Sequence, residues 1–335
     1  MSAVKAALFL LEKYYFWGKP FIFHKCLENK EGVCYNKSII RNHLIHLKNG
    51  FDRWRGGEQM SPRKLLCQRG PVGYWISLRK EYLLRDLKTC LSGEHYAKHL
   101  DPTPLPCLVK GHTSLLMRHL HGVEMQLQEG KKVNLQIAAA KLNGIIIEPG
   151  QTFSFWGLVG HPTEKEGYTQ GLVIAGSQMK AGIAGGLCQL ANMVHWLVLN
   201  SPMTVTELHH HSDALFPDER RTVPFGTGTS VFYKNIDYQF KNTTDQPVQL
   251  LFWLSDTDLC GELRTTKPFP YRYRIVEEDN HYRKEADGWY RISKVYRRVI
   301  DRESGQEVAK ELVLDNHSRV MYDPKLIPPE QIRQD

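Results

Sequence analysis

The sequence predicts an α+β protein, with helices mainly in the N-terminal half and around Cys188 and an antiparallel sheet or partial barrel after residue 225. Three observations carry that expectation. Apolar residues recur near helical spacing over 76–100, and a second helix reads over 132–143 with Gly144 as its cap. The run Ala184-Gly185-Gly186 leads into an apolar segment that continues to Leu199. From Ser230 onward, short β-branched and aromatic stretches alternate with turn residues.

Taken in order, residues 1–70 alternate short apolar and basic pieces. The polar stretch Lys48 to Lys64, with Gly56-Gly57 and Pro62, reads as a linker or loop. Over 76–100, Leu78, Tyr82, Leu83, Leu87 and Leu91 follow a helical period with basic residues between them. Pro102, Pro104 and Pro106 cannot continue a helix, so a boundary falls there. A second helix is expected over 132–143, closed by Gly144 as its C-terminal cap. Ile145-Ile146-Ile147 reads as a strand, and Glu148-Pro149-Gly150-Gln151 as a type II turn. Thr152 to Trp156 alternates like a strand. Further strands are expected at 230–240, 248–254, 261–263, 271–276, 290–300 and 307–314, with turns at 242–245 and Asp287-Gly288. The resulting division is an N-terminal helical region over 1–105, a central domain over 106–260, and a β-rich extension over 261–335.

Composition narrows the function classes. The 335 residues suffice for one large domain or two ordinary ones. Apolar content of 41% and aromatic content of 10% fit a packed core and argue against disorder. The net charge of +8 suits an acidic surface or polymer without selecting one. Seven cysteines, an odd number with no zinc-finger spacing, read as free thiols in a reducing compartment. Met1 to Lys13 has a short apolar run interrupted by Lys5 and no small-residue cleavage site, so it does not read as a signal peptide. No apolar run approaches the ~18 residues of a membrane span. The expectation is therefore a cytoplasmic protein, with peripheral membrane contact through an amphipathic N-terminal helix left open. Nothing resembles a phosphate loop, a dinucleotide fingerprint or a metalloprotease histidine pair, and nucleic-acid binding has only the net charge in its favour. No cofactor is expected.

Chemistry is expected at Cys188. Partial positive charge and unpaired N–H groups at a helix N-terminus favour thiolate, so its pKa is expected to fall. Gly185 and Gly186 allow the tight turn that would uncover the sulfur. A nucleophile needs a base, and His211 of Leu208-His209-His210-His211-Ser212 is the candidate. Gln189 and the N–H groups of Gly186 and Cys188 could serve an oxyanion. The plain alternative is a buried structural thiol beneath a glycine turn. A metal site using His209 and His211 with Cys188 and His161 is a further alternative. His195, two helical turns beyond Cys188, reads as a core histidine. Trp156 and Tyr168, with Phe153 and Phe155, either line a substrate groove or fill the core. Arg220 and Arg221 could bind a substrate carboxylate or form a solvated face.

The residues that carry a family resemblance are Asn134-Leu135 through Leu142-Asn143-Gly144, Glu148 through Trp156, and Tyr168 through Gly171-Leu172. They continue in Gly185 through Gln189, His209 through Ser212, and Ile236-Asp237 through Thr244. In order and spacing these segments resemble the VanW family. The resemblance implies an accessory protein of glycopeptide (vancomycin) resistance or cell-envelope metabolism. Some wall-associated members resemble L,D-transpeptidases in activity, which carries onto Cys188 the role of taking an acyl group from a peptide-like, wall-derived substrate. In that cycle His211 takes the thiol proton, Cys188 attacks a carbonyl, and an amine or water releases the acyl group. Two departures stand out. Where the family often has Gly-(Arg/Val)-Asp-Ala-Thr, this chain reads Gly226-Thr227-Gly228-Thr229-Ser230, so an orienting acid would have to be Asp213 or Asp218. Ala184 stands where the family usually has another glycine. A non-catalytic binding or accessory role, with the glycine turn holding a ligand, is the alternative.

Overall fold

Helix α1 (Pro71–Leu91) begins with proline at its first position, where a missing N–H costs nothing. It ends at Leu91, well short of the three prolines, and Gly93 follows with φ +69. Residues beyond Gly93 are drawn out because the sheet offers them backbone partners. Ala97 N donates to Thr152 O, and Asp101 N donates to Gly144 O. The His99 carbonyl accepts from Ile146 N. A computed structural model describes residues 65–117, 125–175, 178–210, 213–217 and 222–333. The expected linker Lys48 to Lys64 and the N-terminal segment Met1 to Lys13 lie outside them.

The central sheet is antiparallel, in the order β1 (Cys107–Leu115), β10 (Asp258–Thr265), β9 (Val248–Leu254), β2 (Ile145–Ile147). Helices α2 (Met125–Leu142) and α4 (Cys188–Leu199) lie against it. From α2, Leu135, Ala138 and Leu142 enter the core, an i, i+3, i+7 stripe. From α4, Leu190, Val194 and Leu197 meet them there. The 29 core side chains of this cluster are all below one-tenth exposed, so one continuous interior fixes both helices. Gly144 closes α2 with φ +84, as its position after the last helical residue predicts.

Three further sheets are present among the described residues. β3 (Thr152–Ser154), β8 (Gln239–Lys241) and β6 (Thr204–Glu207) form one, in that order. β4 (Gln170–Ala175) and β5 (Gln178–Ile183) pair as an antiparallel ribbon. The long strands β11 (Tyr271–Glu285), β12 (Gly288–Asp301) and β13 (Glu307–Val320) form a meander, edged in parallel by β7 (Asp213–Ala214). A second apolar cluster of Ala214, Phe225, Tyr282, Val320 and Ile327 sits under this meander. Among the described residues the sheets are open, and the fold is α+β with strands predominant. β10 runs through residue 260, so the central sheet extends to Thr265 before the meander begins at Tyr271. Leu65–Asp335 cluster as one unit.

Three local expectations change. The strand read over Thr152 to Trp156 stops at Ser154, whose Oγ accepts from Gly157 N at 3.0 Å and caps helix α3 (Phe155–Val159). The strand read over 230–240 is reduced to its last residues. Asp237 draws Trp156 N and Tyr238 N to its carboxylate, and Phe232 and Ile236 close a turn with Lys234 at φ +55. Strand β1 had no apolar alternation to announce it, because its less exposed positions include Lys110, His112 and Ser114.

Candidate functional site

The glycine turn is built by close backbone contact. Asn134 of α2 is fully buried and clamps it from below. Its Nδ2 donates to Thr169 O and to Gly185 O, both at 3.0 Å, and its Oδ1 accepts from Thr169 N at 2.8 Å. Ala184 N also donates to Thr169 O. A Cβ on Gly185 would lie 2.1 Å from the Gly171 carbonyl carbon, so Gly171 and Gly185 are glycines because two backbones touch. Gly186 has φ +94, and Lys131 fills the space its side chain would take. Ala184 carries a left-handed φ of +60 without being glycine. Replacing Asn134 by alanine would take the partner from the Thr169 N–H and the Gly185 carbonyl, while the Thr169 carbonyl keeps Ala184 N. The expected cost is about 2–3 kcal/mol, measurable by urea unfolding; a loss below about 0.5 kcal/mol would mean water replaces the clamp.

Cys188 is the first residue of α4, as the sequence predicts. The rest of its expected environment differs. Its Sγ faces the Val231 carbonyl at 3.9 Å. Burial pushes the thiol pKa up, and backbone interactions with Val231 and Cys188 itself only partly offset that. This is opposite in sign to the effect expected of the helix terminus, because loss of water outweighs a dipole effect of roughly 0.3–1 kcal/mol. The same helix face carries Asn192, whose Oδ1 accepts from Thr229 N at 2.6 Å. A segment over 228–231 therefore lies along the Cys188–Asn192 face like a cover strip. Ser230 N donates to His209 O, which brings the histidine run against the other edge of that strip.

The histidines divide by face. His209 is exposed, with Nε2 3.5 Å from Glu207 Oε1. His210 turns inward, and its Nδ1 donates to Gly228 O at 2.9 Å. Burial lowers its pKa. His195 is core, as expected. Its Nδ1 is 3.0 Å from the Tyr238 hydroxyl, and burial holds its pKa down to about 3, so the ring stays neutral. His211, the base expected from sequence, lies outside the described residues, as do Arg220, Arg221 and Asp218. Asp213 stands in β7, at the edge of the meander.

Gln189 Nε2 donates to Ser114 Oγ at 3.0 Å and Leu115 O at 2.8 Å, so its amide ties α4 to β1 and does not face the sulfur's contacts. Gly185 N donates to Gly182 O, and Gly186 O accepts from Gln189 N, so both serve the turn. Trp156 is half-buried, with Nε1 donating to Ile236 O and its ring edge-on to Tyr233. Tyr168 is only 2% exposed, in the core rather than along an open groove, and burial pushes its hydroxyl up to about 12. His161 stacks on Tyr233 at 4.4 Å. No cluster of three or more His, Cys, Asp or Glu suited to a metal is present among the described residues.

Sequence reasoning passed over a charged hub beside this site. Asp237 accepts from Ser154 Oγ, Trp156 N, Tyr238 N and Gln239 Nε2. Arg85 of α1 reaches it at 3.3 Å and forks onto both oxygens of Glu207 at 2.7 and 2.8 Å. Burial alone would raise the Glu207 pKa. Hydrogen bonds from His209 and Arg85, the Arg85 charge and the Asp237 N–H outweigh it and bring it down to about 2. Asp237 was visible only as part of the family pattern, and nothing in local sequence linked it to Arg85.

Comparison with known proteins follows the same residues. The family model described as "VanW like protein" matches residues 130–264, from within the first half of α2 into β10 of the central sheet. Vancomycin B-type resistance protein VanW of Enterococcus faecalis (strain ATCC 700802 / V583) is 31% identical over 266 residues, covering 78% of this chain and 94% of that protein. The uncharacterized protein YoaR of Bacillus subtilis (strain 168) is 25% identical over 118 residues, 34% of this chain and 36% of that protein. No solved structure matches the chain.

Proposed function

The chain belongs to the VanW family, and from that premise we propose that it is an accessory protein of glycopeptide resistance, acting in cell-envelope metabolism, in which Cys188 is a structural thiol. The name of the Enterococcus faecalis relative supports the resistance assignment. The observation that supports the structural role is the sulfur's setting: partly buried beside the 228–231 strip, directed at the Val231 carbonyl, with its pKa raised by burial. A neutral thiol is a poor nucleophile and a good small hydrophobe.

One observation favours a second reading, cysteine-dependent acyl transfer on a peptide-like or wall-derived substrate. Cys188 keeps part of its surface, although Leu187 and Leu190 on either side are buried. In that reading His211 is the base, and Arg220 and Arg221 hold a substrate carboxylate. Iodoacetamide labelling across pH separates the two, comparing wild type with Cys188→Ala and subtracting the exposed Cys67 and Cys90. A structural thiol labels slowly below neutral pH, and Cys188→Ala keeps the vancomycin susceptibility of cells carrying the wild-type chain. Fast labelling below neutral pH that vanishes in the variant, together with lost resistance in a variant that still folds, would replace the first reading by the second.

A further inference from the structure

Helix α1 has two apolar faces, and only one of them packs against other described residues. The inner face carries Leu78, Tyr82, Arg85 and Thr89, all partly buried. Tyr82 meets Tyr233 edge-on, and Arg85 binds Glu207. The opposite face carries Val72, Ile76, Leu83, Leu84, Leu87 and Leu91, which are 71, 45, 60, 42, 39 and 76% exposed. Steps of three, four and seven residues put them on one continuous stripe. A run of large apolar side chains this exposed marks a contact surface.

The charges around the stripe indicate what it contacts. Arg79, Lys80 and Lys88 are exposed on and beside it. Of the helix's two carboxylates, Asp86 pairs with Lys234 on the protein side, and Glu81 lies on the border that carries Lys88. Lys80 sits inside the stripe, four residues after Ile76 and four before Leu84. A packed protein interface would have to bury that ammonium among leucines, at a cost of several kcal/mol. A lipid surface does not, because a lysine stem can lie along the apolar boundary while its head reaches the phosphates. The chain's net charge of +8 has the sign that an anionic leaflet attracts.

We infer that α1 is a membrane-surface helix, lying in the plane of an anionic bilayer with Val72, Ile76, Leu83, Leu84, Leu87 and Leu91 in the headgroup–acyl boundary while Arg85 and Tyr82 hold it to the protein. Two anchoring signals, apolar area and basic charge, act together in such binding. The test is co-sedimentation of the full chain with vesicles of phosphatidylglycerol and phosphatidylcholine, against vesicles of phosphatidylcholine alone. Binding is expected to the anionic vesicles and to weaken with salt. Leu83→Glu with Leu87→Glu is expected to reduce it at least about tenfold, and Lys80→Glu with Lys88→Glu to reduce it as well, with thermal unfolding unchanged because these side chains point outward. Absence of binding to anionic vesicles at low salt would overturn the inference. So would binding that the leucine pair leaves intact, or a wild-type dimer in sedimentation equilibrium that the leucine pair converts to monomer, since a second copy would then be the occupant.

Discussion

Gly185→Ala is expected to cost about 4 kcal/mol or more, beyond the ordinary range for a single methyl group. The added Cβ would stand 2.1 Å from the Gly171 carbonyl carbon, 2.2 Å from its oxygen and 2.7 Å from its Cα. These are backbone atoms, so no rotamer change relieves the clash. Neither side can recede. Gly171 pairs with Gly182 in the β4–β5 ribbon, and the Gly185 carbonyl is held by Asn134 at 3.0 Å. The turn must open, and opening it pulls α4 away from the ribbon that precedes it. Gly111→Ala is the matched control, because a Cβ there would come no nearer than 4.0 Å to the Glu262 side chain. It should change stability by less than about 0.5 kcal/mol. Urea unfolding of the two variants decides the matter. A Gly185→Ala protein within about 1 kcal/mol of wild type would show that the turn has slack, and the glycines would need another explanation.

The second large effect is expected at Asp237. Asp237→Ala removes the acceptor for Ser154, Trp156, Tyr238 and Gln239 at once and takes one of two carboxylates from Arg85. Breaking a buried, hydrogen-bonded ion network from one side costs roughly 3–5 kcal/mol, and α1 should loosen first because Arg85 is its charged anchor. Glu207 adds a pH signature. Its folded pKa is lowered from 4.5 to about 2, and its side chain is 14% exposed. A depressed folded value means the stabilisation is fully present above the unfolded pKa and is lost as pH falls toward the folded one. Stability should therefore decline between about pH 5 and pH 2, with Glu207 contributing on the order of 3 kcal/mol of that loss. Glu207→Gln should flatten this part of the acid limb while lowering stability at neutral pH. An unchanged acid slope in that variant would mean the ion pair is looser in solution than the two short Arg85 contacts imply.

Much of the architecture was legible in local sequence. Periodicity marked α1, a glycine cap marked α2, an apolar run after two glycines marked α4, and β-branched runs between turn residues marked β2, β9 and the three long strands of the meander. Gly144 and Pro149-Gly150 marked their turns. What stayed hidden had a common cause, namely partners remote in sequence. Residues 94–101 left a helical pattern because Thr152 and Gly144 offered sheet bonds. The 230–238 segment gave up its strand because Asp237 captured two backbone N–H groups. β1 turns polar residues inward and so lacks the alternation that reveals a half-buried strand.

The same distinction runs through the candidate site. Residue order alone determined the family, the helix that begins at Cys188 and the core placement of His195, because these depend on spacing along one chain. Only the tertiary structure sets the surroundings of the sulfur. A helix terminus favours thiolate locally, but residues 228–231, some forty positions downstream, lie along the helix face that carries Cys188, and burial there raises the thiol pKa. The glycines likewise read as freedom in the sequence and became contact in the fold, since no local rule says that Gly171 and Gly185 will meet.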